Sequence, residues 1–238
     1  MAHPNTEWIP KPNHSTRILL IRHGETDWNK ASRYQGHVDI PLNATGLQQA
    51  ELLRRRFERM AAQIQQPSLF DQCYTSPLER ARATAQVLNH NNQPLIANAN
   101  LKERNYGVLA GLTSTEMQLQ FPKEFQSISS RESHAIITHG ESLSEFNQRV
   151  LSAFHHIIQA NLQRTVLLVA HGGVLDCIYR FSLNIPLQIQ RSWPIPNGAF
   201  NLIDVHPNNQ LEIRIWADTT HLHRLNAEKL DELDGRIT

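Results

Sequence analysis

Arg22-His23-Gly24 and His171-Gly172-Gly173 are two places where this chain sets a histidine beside glycine just after a strongly apolar run. The runs are Ile18-Leu19-Leu20-Ile21 and Thr165-Val166-Leu167-Leu168-Val169-Ala170. Neutral imidazole is a competent nucleophile, and a reference pKa of ~6.5 leaves much of it unprotonated at neutral pH. Arginines beside it disfavour its protonation further. Arginine also presents a fixed fork of donors to oxyanions. A third cation, Arg80, follows Ser76-Pro77-Leu78-Glu79. That stretch reads as a helix start, with Ser76 as N-cap, Pro77 at the first helical position and Glu79 closing a capping box. Helix N-termini favour anions through free amides and the dipole, and Arg80 in the first turn strengthens that bias.

Each histidine needs an element to hold it. A short run of β-branched residues and leucine, without polar alternation, reads as a strand buried on both faces of a parallel sheet. In open α/β sheets ligands sit beyond the carboxyl ends of such strands. Arg22, His23 and His171 would stand there, with Gly24 letting the backbone turn and approach a ligand closely. The spacing predicts strands over 16–21, 69–74, 95–97 and 165–170, and a strand pair over 199–205 and 211–216 around an Asn208-Asn209 turn. Helices are predicted over 46–65, where Ala50, Leu53, Phe57, Met60 and Ala61 share a face, and from Ser76 to Asn89. Capping boxes at Thr113–Glu116 and Ser142–Glu145 start two more, the first ended by Pro122 and the second carrying an apolar stripe toward Leu162. A last helix is predicted over 174–183. Residues 27–43 and 123–140 lack a period and read as loops, and Arg54, Arg55, Arg56 and Arg59 read as a solvated basic face. Strands alternating with helices predict an α/β three-layer sandwich, a mostly parallel sheet with helices on both faces.

Bulk properties narrow the partners. The 238 residues suit one large domain, and 40% hydrophobic content supports a sizeable core. A net charge of +1 argues against nucleic acid as the partner. Two distant cysteines, Cys73 and Cys177, fit a reducing compartment rather than a disulfide scaffold. No run approaches the ~18 apolar residues of a membrane span, and the first residues lack a signal peptide's apolar stretch. The expectation is a cytoplasmic protein with no membrane partner, a monomer or homodimer. Residues 1–15 are expected to form a flexible arm, 16–225 the domain, with a loop-rich insertion at about 105–142 over the site, and 226–238 a charged tail. Thirteen histidines include His155-His156 and His221-Leu222-His223, but no third ligand has a metal-binding spacing. No P-loop follows Gly24 or Gly173, since Gly-Lys-Ser/Thr is missing.

Four motifs in order resemble the histidine phosphatase superfamily, also called phosphoglycerate mutase-like. They are Arg22-His23-Gly24-Glu25-Thr26 with Trp28-Asn29, Ser76-Pro77-Leu78-Glu79-Arg80-Ala81 with Thr84-Ala85, Leu101 to Gly111 around Glu103, and His171-Gly172-Gly173 after Gly140-Glu141-Ser142. Ala217-Asp218-Thr219-Thr220-His221-Leu222 also resembles a common ending of the family. The resemblance implies a phosphoglycerate mutase-like fold and a phosphoryl-transfer site without cofactor or metal. It makes His23 the nucleophile of a phosphohistidine intermediate. Arg22, Arg80 and His171 would clamp the phosphoryl oxygens, and Glu103 would protonate the leaving group and later help activate water. Gly24, Asn29, Gln35, Gly36 and Gly172 match positions around the substrate.

The resemblance leaves three functions open. The first is a phosphomonoesterase acting on a small phosphorylated metabolite. The second is a cofactor-dependent phosphoglycerate mutase, which Glu103-Arg104-Asn105-Tyr106-Gly107 resembles. Mutases carry a longer insertion after that motif with an arginine pair, whereas Arg131 stands alone here, which favours the hydrolase. The third, an inactive phospho-ligand binder, would be expected to lose the nucleophile or the acid, and both are present. His139-Gly140 is a weaker candidate substrate contact than Glu141 or Ser142.

Overall fold

The 18–21 run is the centre of the molecule. In the computed structural model, which describes residues 8–89 and 93–223, β1 (Thr16–Arg22) lies between β4 (Thr165–Ala170) and β5 (Phe200–Val205). Pleating sends alternate side chains to opposite faces. Ile18, Leu20, Val166 and Leu168 join one apolar cluster, and Leu19, Ile21, Leu167 and Val169 join the other. Burying one such aliphatic side chain stabilises by ~1.5–3 kcal/mol, which is why these strands carry no polar alternation.

The sheet has six strands in the order β3-β2-β4-β1-β5-β6, with β2 at Gln72–Thr75, β3 at Leu95–Ala97 and β6 at Leu211–Asp218. The four strands from β3 to β1 run parallel, and β5 and β6 are antiparallel. Before β2 come α1 (Asp27–Lys30) and α2 (Ala44–Gln63), and α3 (Glu79–Leu88) follows it. Next in the chain are α4 (Ser114–Gln120), α5 (Pro122–Ser129), α6 (Leu143–Ala160) and α7 (Gly172–Leu183). The buried faces of α2 and α3 cover one side of the sheet, and those of α6 and α7 cover the other.

The structure corrects several expectations. Residues 27–30 and 122–129 are helical. Thr26 and Asn29 close a capping box on the first, and Pro122 starts the second rather than only ending α4. Leu109, Met117 and Ile137 form a small core of their own, flanked by Phe121, Phe125 and Ile128, so the insertion is a packed helical layer. Arg56 is 4% exposed and not on a solvated face. It donates to Asp218 Oδ2 at 2.6 Å, while His221 meets the Gly198 carbonyl at 3.0 Å. Residues 8–15 are tied down: Trp8 packs on the α2/α3 cluster, and the Ile9 and Pro10 carbonyls accept from Arg17. The same guanidinium forms a fully buried fork with Asp204, both bonds 2.7 Å, stapling β1 to β5. The expected tail at 226–238 lies outside the described residues.

Candidate active site

Parallel pairing of β1 with β4 sets Arg22 opposite Ala170, so the residues that follow emerge side by side. His23 and His171 meet with ring centroids 5.1 Å apart and planes at 61°, and both are buried. His23 Nδ1 lies 2.7 Å from the Gly24 carbonyl. A carbonyl only accepts, so Nδ1 carries the hydrogen and Nε2 keeps its lone pair. The main chain at Gly24 also runs close against the start of α2: a Cβ on Gly24 would stand 2.4 Å from the Gly46 oxygen.

Ser76 does not form the expected capping box. The helix begins at Glu79, and its N-cap, Leu78, makes no side-chain bond. Ser76 Oγ instead lies 2.7 Å from His171 Nε2 and accepts the Leu78 amide at 3.3 Å. A hydroxyl carries one hydrogen and two lone pairs, so Ser76 can give its hydrogen to His171 Nε2 and so leave Nδ1 protonated. That Nδ1 is buried without a protein partner.

The arginines are fixed by main-chain carbonyls. Arg80, on the first turn of α3, donates to Val38 O at 2.9 Å and Gly36 O at 2.8 Å. Arg22 donates to Ile195 O at 2.6 Å. In each, Nε is buried and unpartnered. Burial draws both guanidinium groups down to about 10, still charged at neutral pH. Burial, then the charges of Arg80 and Arg22, hold His23 well below the usual imidazole range; burial and Arg80 do the same first for His171. Both rings are neutral at pH 7.

Glu103 follows a short 3-10 turn at Ala99–Leu101. Its Oε1 accepts the Arg104 amide at 2.8 Å and its Oε2 the Gly173 amide at 2.9 Å. A Cβ at position 173 would stand 2.2 Å from Glu103 Oε1, so glycine there lets the carboxyl lie against the main chain. Each carboxyl oxygen keeps a second lone pair for proton exchange.

Arg22, His23, Asn29, Gln35, Arg80, Glu103 and Gly172 line one cavity of about 710 Å³. The neighbouring Gly24 and Gly36 contribute their carbonyls to His23 and Arg80. Asn29 Oδ1 is occupied by Thr26 and by Asn197 Nδ2, leaving its amide nitrogen for a ligand. His139 instead lines a separate hollow with His37, Val38 and Asn105. Glu141 is engaged by Arg149 and the Asn105 amide.

Two contributors escaped the sequence reading. Asn197 Nδ2 donates to the His23 carbonyl at 3.0 Å, and only a position in a proline-broken stretch marks it. Arg149, on the exposed side of the α6 pattern, donates to the Asn100, Lys102 and Glu103 carbonyls at 2.8 to 2.9 Å.

An α/β sheet presenting paired histidines and buried arginines at its carboxyl edge defines a class, and comparison with known proteins gives it a name. The chain belongs to the histidine phosphatase superfamily (branch 1), whose profile matches residues 18–219. It is 32% identical over 210 residues to a metal-independent phosphoserine phosphatase of Arabidopsis thaliana, covering 87% of this chain and 83% of that one. It is 29% identical over 208 residues to phosphoglycerate mutase-like protein 4 of the same plant, covering 86% of each. Among solved structures, Bacillus stearothermophilus YhfR superposes with a TM-score of 0.78 at 28% identity, over 87% of this chain and all of that one. A phosphatase or mutase enzyme of this family is thereby supported.

Proposed function

We propose that the protein is a metal-independent phosphomonoesterase that hydrolyses a small phosphorylated metabolite through a phosphohistidine on His23. One observation carries this reading. Three nitrogens from three different elements, Arg22 Nε, Arg80 Nε and His171 Nδ1, are buried without a protein partner beside a neutral histidine, and the third is a donor when Ser76 gives its hydrogen to His171 Nε2. Buried donors are ordinarily satisfied, and leaving one unsatisfied costs ~1–3 kcal/mol. Three phosphoryl oxygens would satisfy all three.

In the proposed reaction His23 Nε2 attacks phosphorus in line while the ester P–O bond breaks. Charge on the equatorial oxygens is met by the two arginines and His171, and such positioning and neutralisation make up most of phosphoryl-transfer catalysis. The imidazole becomes cationic on transfer and is steadied by its Nδ1–H bond to Gly24. Glu103 gives its proton to the departing oxygen. It then takes one from the water that attacks the phosphohistidine, returning His23 and releasing inorganic phosphate.

A mutase would hand the phosphoryl group to a second substrate molecule. The insertion here is two short helices with Arg131 as the lone arginine after Arg104, which favours water as the acceptor. Among the described residues, no three His, Cys, Asp or Glu side chains are grouped to hold a metal. The test is phosphate release from p-nitrophenyl phosphate with and without EDTA. Turnover undiminished by the chelator is expected. Activity lost to EDTA and restored by zinc or magnesium would overturn the proposal.

A further inference from the structure

We infer that Thr84, on α3, holds the nucleophile in register with the arginine clamp. It is a positioning residue: it does not line the cavity and acts through His23 and Arg80. That role rests on the phosphatase reading and goes beyond it, because it places control of the site's geometry in a side chain behind the site.

The hydroxyl makes two bonds. Thr84 is fully buried, and its Oγ1 lies 2.7 Å from the Arg80 carbonyl and 3.0 Å from the Gly24 amide nitrogen. A carbonyl only accepts and an amide N–H only donates, so both directions are forced. The Gly24 N–H gives to Oγ1, and the Oγ1 hydrogen goes to Arg80. A threonine bonding the carbonyl four residues back is ordinary inside a helix. Nothing in the helix calls for the second bond, which reaches a main chain 60 residues away. Gly24 follows the nucleophile directly, and Arg80 is one arm of the clamp. A single hydroxyl therefore joins the turn that carries His23 to the helical turn that carries Arg80. Bonds in such a buried chain strengthen one another.

Each end is otherwise held from a different direction. The peptide unit between His23 and Gly24 is gripped on its carbonyl side by Asn197 Nδ2 at 3.0 Å and the Gly198 amide at 3.3 Å. Thr84 grips its N–H side. The Arg80 guanidinium is anchored to the Gly36 and Val38 carbonyls, in the loop before α2. No other hydrogen bond between described residues joins α3 to residues 23–25. Without the hydroxyl, α3 could shift against the turn and carry Arg80 Nε off the phosphoryl oxygens with every reacting side chain still present. A misplacement of about 1 Å can cost ~10²-fold in rate, so register of this kind is kinetically visible.

The test removes the hydroxyl while keeping the shape of the side chain. In the whole protein, Thr84→Val should lower kcat/KM on p-nitrophenyl phosphate by about 10-fold or more. Thr84→Ser keeps the hydroxyl and should stay within about 3-fold of the wild type. Serine gives up a buried methyl and should unfold at lower urea than the wild type, so activity should follow the hydroxyl and not the stability. A cycle with Arg80→Ala is decisive. Once the arginine is gone its register no longer matters, and Thr84→Val should cost several-fold less there than in the wild-type background. An unchanged rate in Thr84→Val, equal factors in the two backgrounds, or a fall in Thr84→Ser as deep as in Thr84→Val overturns the assignment. If Thr84→Val does not fold, Thr84→Ser against Thr84→Ala isolates the same hydroxyl. The serine variant should then be faster by about 10-fold, and equal rates overturn the assignment. A wild type without turnover fails the phosphatase reading separately. Calorimetric binding of orthovanadate, which takes the trigonal-bipyramidal shape of a phosphoryl group in transfer, then reads the register alone. About 10-fold weaker binding by Thr84→Val supports it; equal affinity, or no binding by the wild type, overturns it.

Discussion

At the scale of the residue, the account divides labour between a nucleophile, a clamp and an acid, and kinetics separates them. Glu103→Gln keeps the shape of the side chain and can accept one of the two backbone amides, but it cannot give the same proton. It should slow an alkyl phosphate, whose leaving group needs protonation, far more than p-nitrophenyl phosphate, whose leaving group does not. General acid catalysis typically contributes ~10²- to 10⁴-fold, so the gap is measurable as kcat/KM on the two substrates. Arg80→Ala removes a donor that every phosphoryl group uses, and its penalty should be similar for both. Equal slowing of the two by Glu103→Gln would mean that another group is the acid. The types of these residues were legible because each sits where a strand or helix pattern breaks. Asn197 and Arg149 were not. Their roles depend on which distant main chain they reach, and no local pattern encodes a partner 46 or 174 residues away.

At the scale of the element, the loop bearing Glu103 has little regular structure of its own, and α6 supplies it. Arg149 binds the loop carbonyls of Asn100, Lys102 and Glu103 and the Glu141 carboxylate. It therefore acts through Glu103, as a positioning residue. Arg149→Met should reproduce the leaving-group signature of Glu103→Gln in weaker form, with a loss of about 10-fold or more on the alkyl phosphate and little on p-nitrophenyl phosphate. A merely structural defect would lower both substrates alike. Apolar periodicity made the helices and most strands legible, including the antiparallel pair β5 and β6. It failed at Ser76, where a sequence that reads as a cap is committed to orienting His171. It failed too at α5, whose apolar residues Phe125 and Ile128 pack on the small core of the insertion rather than forming a long stripe on the sheet.

At the scale of the whole molecule, the site imposes a pH limit on the fold. His23 and His171 are buried neutral, and His221, enclosed beside Arg56, is drawn down to about 4. Each has a folded pKa below its unfolded value of ~6.5. Above that pH neither state binds the proton and stability is full. As pH falls, the unfolded chain protonates first, and each such histidine costs up to ~1.4 kcal/mol per pH unit until its folded pKa is reached. Urea unfolding midpoints should therefore drop between pH 7 and pH 5, a window above the carboxylate range. An unchanged midpoint across that window would show that these rings are not buried neutral. The layered architecture and the order of the motifs were readable from the strand runs. The cavity's outer wall was not, because it forms only when residues 129–133 meet residues 187–190.

The central claim is that the phosphoryl group passes through His23, and it can be tested directly. The protein is mixed with labelled substrate, quenched within milliseconds in base, where phosphohistidine survives and acyl phosphates do not, and digested for peptide mass spectrometry. The account predicts one phosphoryl group on the peptide containing His23, absent in His23→Ala, which should also lose turnover. Turnover by His23→Ala at the wild-type rate, or a label carried by any other side chain, would contradict it.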